Sequence, residues 1–159
     1  MPSYWVETEA KVTASAGTEK SLIEFALPAT RRVQLTRLMV TGYVATAGEP
    51  ASLISLSYWD TAAAGGTGIT PVKNDVNETA TLTTGHTRNR TAMPTNNRVQ
   101  IIPRRPINPG QVMLDLDLME YFKGEYVYVP VSKIVCASVT PDAAGTATVD
   151  WWAMVAWNE

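Results

Sequence analysis

Apolar residues along this 159-residue chain come in short alternating runs, separated by clusters of Gly, Pro, Asn and Asp. The helical i, i+3, i+4 spacing is rarely sustained, so the pattern predicts strands. The candidate runs are Tyr4–Glu9, Ser21–Leu27, Arg32–Ala45, Ala51–Trp59, Arg98–Ile102, Val112–Leu118, Glu125–Val131, Lys133–Thr140 and Thr146–Trp157. The last is the cleanest. Ala147, Val149, Trp151, Ala153, Val155 and Trp157 fall on one face, and Thr146, Thr148, Asp150, Trp152, Met154 and Ala156 on the other. The first face is wholly apolar and is expected to meet the core, while Asp150 marks the second as wet.

Turn chemistry separates the runs. Thr140–Gly145 reads T-P-D-A-A-G, in which Pro141 presets φ, Asp142 can bond its own backbone and Gly145 can take positive φ. A hairpin is therefore expected between the last two strands. Asn108-Pro109-Gly110 punctuates in the same way before Val112–Leu118. The one candidate helical turn is Leu118–Lys123, too short to nucleate alone. Short strands with recurrent turn signals predict an all-β, antiparallel β-sandwich of jelly-roll form, a single domain over residues 1–159. The stretch from Asp60 to Asn97 fits strands poorly and is long for a structureless connection. It is expected to be a loop excursion (60–97), either functional or ordered by a neighbour.

Composition narrows the classes. Charged residues make up 18% of the chain, fewer than usual, and the formal charge is −2. That balance offers no bulk attraction to nucleic acid or to a membrane surface, and neither is expected as a partner. A single cysteine, Cys136, leaves no internal disulfide. No apolar run approaches a membrane span, and Met1–Glu7 lacks the basic-then-apolar pattern of a signal peptide. Synthesis in a cytosol is the expectation.

Candidate chemistry is sparse. Gly65, Gly66 and Gly68 suggest a phosphate cradle, but no Lys-[Ser/Thr] follows them and Pro71 stands where a helix would begin. A flexible surface loop is the better reading. The single histidine, His86, and Cys136 are not brought together by any motif, and Cys136 alternates within a strand as a small buried residue would. Asp115 and Asp117 share one side of a strand and could hold a hard cation, yet no third acid or glycine turn completes a calcium loop. No catalytic residue, metal or cofactor is expected.

Charge distribution says more than net charge. From His86 to Asn108 there are five arginines, Arg88, Arg90, Arg98, Arg104 and Arg105, and no acid. The Asp115–Glu125 segment carries four acids and one lysine, and the first thirty residues hold Glu7, Glu9, Glu19 and Glu24. Guanidinium forks pair bidentately with carboxylates, which suits docking between subunits. Phosphate contact is a rival use, weakened by the lack of stacking aromatics, and a plain solvated loop is another. Five tryptophans add a hint: adjacent Trp151 and Trp152 must face opposite ways, so one of them is expected to leave the core for an interface.

The strand R-R-V-Q-L-T-R-L-M-V-T-G-Y, the serine- and leucine-rich strand after it, and the loop G-G-T-G-I-T-P-V resemble small virion proteins of tailed bacteriophages. So do the later P-G-Q-V-M-L-D-L strand and the closing strand that ends Trp157-Asn158-Glu159. The likeness covers residues 31 to 159 in pattern. It implies a capsid decoration (cement) protein on the virion surface, trimeric, with the major capsid protein as partner and no catalytic role. On that reading Met1–Gly17 is an N-terminal arm, and Arg88, Arg90, Arg104 and Arg105, with Trp5 and Trp152, meet neighbouring subunits. The alternative is a carbohydrate-binding or tail-fibre module that uses Trp59 or Trp152 as a stacking platform.

Overall fold

The structure is a computed structural model and describes residues 1–43, 51–107, 114–144 and 149–159. It is an all-β sandwich of two antiparallel sheets. The strands are β1 (Ser3–Glu7), β2 (Val12–Ala14), β3 (Lys20–Ala26), β4 (Val33–Tyr43), β5 (Ser52–Trp59), β6 (Thr67–Gly68) and β7 (Val72–Lys73). They continue with β8 (Thr84–Arg88), β9 (Val99–Ile107), β10 (Leu114–Asp117), β11 (Val127–Val129), β12 (Ile134–Thr140) and β13 (Val149–Asn158). A single turn of helix, α1 (Leu118–Tyr121), stands where the sequence predicts one, capped by the Asp117 carboxylate on the Glu120 N–H.

The seven-stranded sheet runs β10-β4-β13-β1-β7, with β11 also on β4 and β2 also on β13. The six-stranded sheet runs β6-β8-β3-β12-β5-β9. Between them lies one core. Tyr4, Leu35, Leu38, Trp151 and Trp157 come from one sheet; Leu22, Phe25, Ile54, Leu56 and Ile102 come from the other. The alternation read for the closing strand holds from Val149 to Trp157, with Val149, Trp151, Ala153, Val155 and Trp157 all buried. Trp151 lies flat across Gly42 of β4, where a Cβ would stand only 2.5 Å from the indole ring. Glycine there is a packing requirement, not a turn.

Three expectations change. No hairpin joins β12 to β13: β12 pairs with β3 and β5, whereas β13 pairs with β1, β2 and β4, and Gly145 lies outside the described residues. Turn residues reverse the chain but do not choose the sheet that the next strand joins. Residues 1–17 are not an arm. Tyr4 and Val6 of β1 sit in the core, and β1 is hydrogen-bonded between β13 and β7. The strand expected to stop at Ile102 continues as β9 to Ile107, through Pro103 and Pro106. This strand lies at the edge of its sheet, where a residue without an N–H costs no ladder bond. Asn108-Pro109-Gly110 lies outside the described residues.

The segment 60–97 crosses from one sheet to the other. Its short strands β6 and β8 extend the six-stranded sheet, and β7 borders β1 of the seven-stranded sheet. Two of its glycines combine a left-handed backbone with close contact. Gly65 and Gly66 have φ of 69° and 97°, and a Cβ on Gly66 would meet Arg90 Cδ at 2.8 Å and the Arg88 carbonyl at 3.0 Å.

Candidate functional site

The arginine-rich segment finds its carboxylates inside the chain. Along β3, β12 and β5 the residues facing away from the core are Glu24, Ser21, Cys136, Ser138, Ser55 and Ser57, aligned by register and all buried. Ala63, Arg90 and Arg98 cover them. Arg90 reaches Glu24 Oε1 at 3.0 Å, with side-chain exposures of 13% and 1%, and the Ala63 N–H donates to the same oxygen at 3.1 Å. Arg98 grips Glu19 through two N–H bonds of 2.8 and 2.7 Å and donates to Ser55 Oγ at 2.8 Å. Its guanidinium also lies 4.9 Å over the Trp59 ring. Serine at the outward positions of β5 and β12 thus supplies hydroxyls to a charged layer, not to water.

The two carboxyls respond in opposite ways. Burial raises Glu24 above the usual range, outweighing Arg90 and the Ala63 N–H. Burial also pushes Glu19 up, but the Arg98 fork, Ser138 and Arg104 together hold it below. Arg90 is therefore corrected from a docking residue to an internal counter-ion. Arg104 is half exposed and 3.6 Å from Glu19 Oε2. Arg105 is exposed and covers Tyr121, 5.4 Å from its ring centroid. Arg88 is half-buried, and its backbone pairs β8 with β3 and β6.

Trp5 and Trp152, expected at an interface, lie on the opposite side of the molecule. Outward residues of the seven-stranded sheet align in rows across β7, β1, β13 and β4. One row is Val72, Trp5, Ala156 and Arg37; the next is Glu7, Met154 and Met39; beyond it stand Trp152 beside Thr41 and Asp150 beside Tyr43. Trp152 is 38% exposed while Trp151 is wholly buried, so the adjacent pair splits as the alternation requires. Met39, Thr41, Trp152 and Met154 line a groove of about 240 Å³ that Glu7 and Glu9 border. Ion pairs flank the strip: Lys11 with Asp150 at 2.8 Å, and Arg37 with Asp115 through bonds of 2.8 and 2.6 Å. An apolar centre within a polar rim is the anatomy of a protein–protein contact. Met39 and Met154 were not singled out by sequence, although both fall on the polar face of their alternating runs.

The remaining reactive groups are engaged in structure. Asp115 is bonded to Arg37, and Asp117 caps α1. Cys136 is fully buried against Ser21, and burial pushes its thiol up to about 12. Among the described residues, no three His, Cys, Asp or Glu side chains gather as metal ligands.

His86 sits at the core margin, stacked 5.7 Å from Phe25 and 5.8 Å from Trp157, with Nε2 2.8 Å from Thr83 Oγ1. Burial pushes its pKa down to about 4, against a smaller opposing pull from Glu159. The unfolded chain therefore takes up this proton first as pH falls. The stabilisation is full above about pH 6.5 and is lost as pH drops toward 4. Urea unfolding midpoints measured from pH 7 to 4.5 are expected to fall less steeply in His86→Phe than in the wild type. Glu24, with its raised pKa, contributes the opposite slope to both proteins, so the difference isolates the histidine.

Comparison with protein families, with characterised proteins and with solved structures returned no match.

Proposed function

We propose that this protein is a structural component of a bacteriophage capsid, of the decoration (cement) type, which binds the outside of the shell and bridges its subunits. The observation that carries the reading is the strip Trp5, Met39, Trp152 and Met154 on the outer face of the seven-stranded sheet, rimmed by ion pairs. Large apolar side chains on a flat sheet are costly in water and favourable against a partner. The sequence resemblance to small virion proteins names the partner as the major capsid protein. The strand orders β10-β4-β13-β1 and β3-β12-β5-β9 suit a jelly roll, a rigid plate from which loops project. Each copy needs to bury only about 1,600 Å² in total, and shell symmetry repeats that contact many times. A trimer is the assembly expected on the shell, with Arg104 and Arg105 directed at neighbouring copies.

Purified protein is expected to add to undecorated cognate shells at fixed stoichiometry and to raise their disruption temperature. Trp152→Glu is expected to weaken that binding by at least tenfold while leaving the unfolding midpoint nearly unchanged, as a surface substitution should. Wild-type protein that does not sediment with shells would overturn the proposal. So would a Trp152→Glu variant that decorates normally.

A further inference from the structure

A second recessed site lies on the outer face of the seven-stranded sheet, where its edge strand β11 pairs with β4 and Tyr128 stands opposite Gln34. Met1, Gln34, Asp117, Tyr126, Tyr128 and Asn158 are among the residues that converge there on a groove of about 420 Å³. That volume is in the range of small-molecule sites. It is separate from the Trp152 groove, with which it shares no lining residue.

Gln34 is the informative residue, because it is only 5% exposed. Its Oε1 accepts from Asn158 Nδ2 at 3.2 Å, and Asn158 Oδ1 in turn accepts from Ser3 Oγ at 2.7 Å. Gln34 lines the groove, and among the described residues its Nε2 has no hydrogen-bond partner, so the N–H is open to an acceptor that enters. A ligand acceptor there would take the place of water on the amide. Asp117 supplies the complementary function. Its Oδ1 caps α1, and Oδ2 has no partner among the described residues. Tyr126 and Tyr128, 56% and 47% exposed, form the wall, with ring centroids 6.1 Å apart and tilted by 57°.

We propose that this groove binds a neutral saccharide, one pyranose ring of a surface glycan. A pyranose has an apolar C–H face for a tyrosine ring and hydroxyls that both accept and donate. One hydroxyl can accept from Gln34 Nε2 while another donates to Asp117 Oδ2. The lining carries the Asp117 carboxylate and, among the described side chains, no lysine or arginine, which disfavours phosphate or an acidic sugar. A quaternary ammonium would meet the tyrosines and the carboxylate, but it would leave the Gln34 donor facing methyl groups. The groove lies on the same outer face of the sheet as the Trp152 strip, one row beyond Ala156 and Arg37, and it draws on different residues, so sugar binding is read on the isolated protein whether or not shells bind.

The test is a titration followed by NMR, using methyl α-mannoside, methyl β-galactoside, methyl β-glucoside and N-acetylglucosamine, with choline chloride and inorganic phosphate in parallel. At least one sugar is expected to shift the tyrosine ring signals, with Kd on the order of millimolar. Tyr126→Ala and Gln34→Met are each expected to weaken it by about tenfold, a tenfold change being one lost polar or stacking contact. Tyr126 is exposed, so its variant keeps the fold even if Gln34→Met does not. Trp152→Glu should bind sugar as the wild type does. The proposal is overturned if no sugar shifts those signals at tens of millimolar, if choline or phosphate binds more tightly than every sugar, or if Tyr126→Ala binds sugar unchanged.

Discussion

Arg90→Ala is expected to cost about 3–5 kcal/mol of folding stability at neutral pH, the range for one partner removed from a buried ion pair. Glu24 is the reason. Its side chain is 1% exposed and would keep only the Ala63 N–H as a near partner. The charge is expected to matter more than the shape, which Glu24→Gln combined with Arg90→Met separates. That double variant leaves no orphaned charge and is expected to recover most of the loss. The single variant should also become less defective in acid. Burial already raises the Glu24 pKa in the fold, so the protonated carboxyl is the form the fold favours. The penalty is then full above the folded pKa and vanishes below the unfolded one. Urea titrations of the variants at two pH values measure both effects. A loss below about 1 kcal/mol for Arg90→Ala, the range of an exposed pair, would contradict the internal layer.

Trp157→Ala is expected to be equally costly, about 3–5 kcal/mol, as for other buried tryptophans. The indole stacks 4.7 Å from Phe25 of the opposite sheet and 6.0 Å from Tyr4, and its Nε1 donates to Glu159 Oε1 at 3.1 Å. The same Glu159 carboxylate accepts from the Leu82 N–H at 2.8 Å, so losing the indole also loosens the hold on segment 60–97. Trp152→Ala, on the opposite face of the same strand, should cost about 1 kcal/mol or less. The contrast, measured by thermal or urea unfolding, checks the face assignment of β13 with a single strand.

What the sequence made legible was mainly parity. The period-2 pattern separates Trp151 and Trp157 from Trp152, and Ile54 and Leu56 from Ser55 and Ser57, because side chains of a strand alternate strictly. It did not say that Ser55 and Ser57 would also be buried, since a second covering layer leaves no mark on local periodicity. The arginine reading shows the same limit. Bidentate pairing with carboxylates was the right chemistry for Arg98, yet spacing along the chain cannot tell Glu19 of the same chain from an acid on a neighbour. Residues 1–17 were misjudged because β1 is short, and only its pairing with β13 makes it central. The tyrosine groove was invisible for a related reason: Gln34 and Asn158 are far apart in sequence and meet only through the β4–β13 register.

The central proposal is that the strip Trp5, Met39, Trp152 and Met154, on the outer face of the seven-stranded sheet, is the surface that meets the capsid. A cryo-EM reconstruction of the cognate particle tests it most directly. The expected map has Trp5, Met39, Trp152 and Met154 in contact with the major capsid protein, and the arginine-covered six-stranded sheet turned away from it. Density that places the protein in the tail, or on the shell with the Trp152 strip facing solvent, would contradict the account.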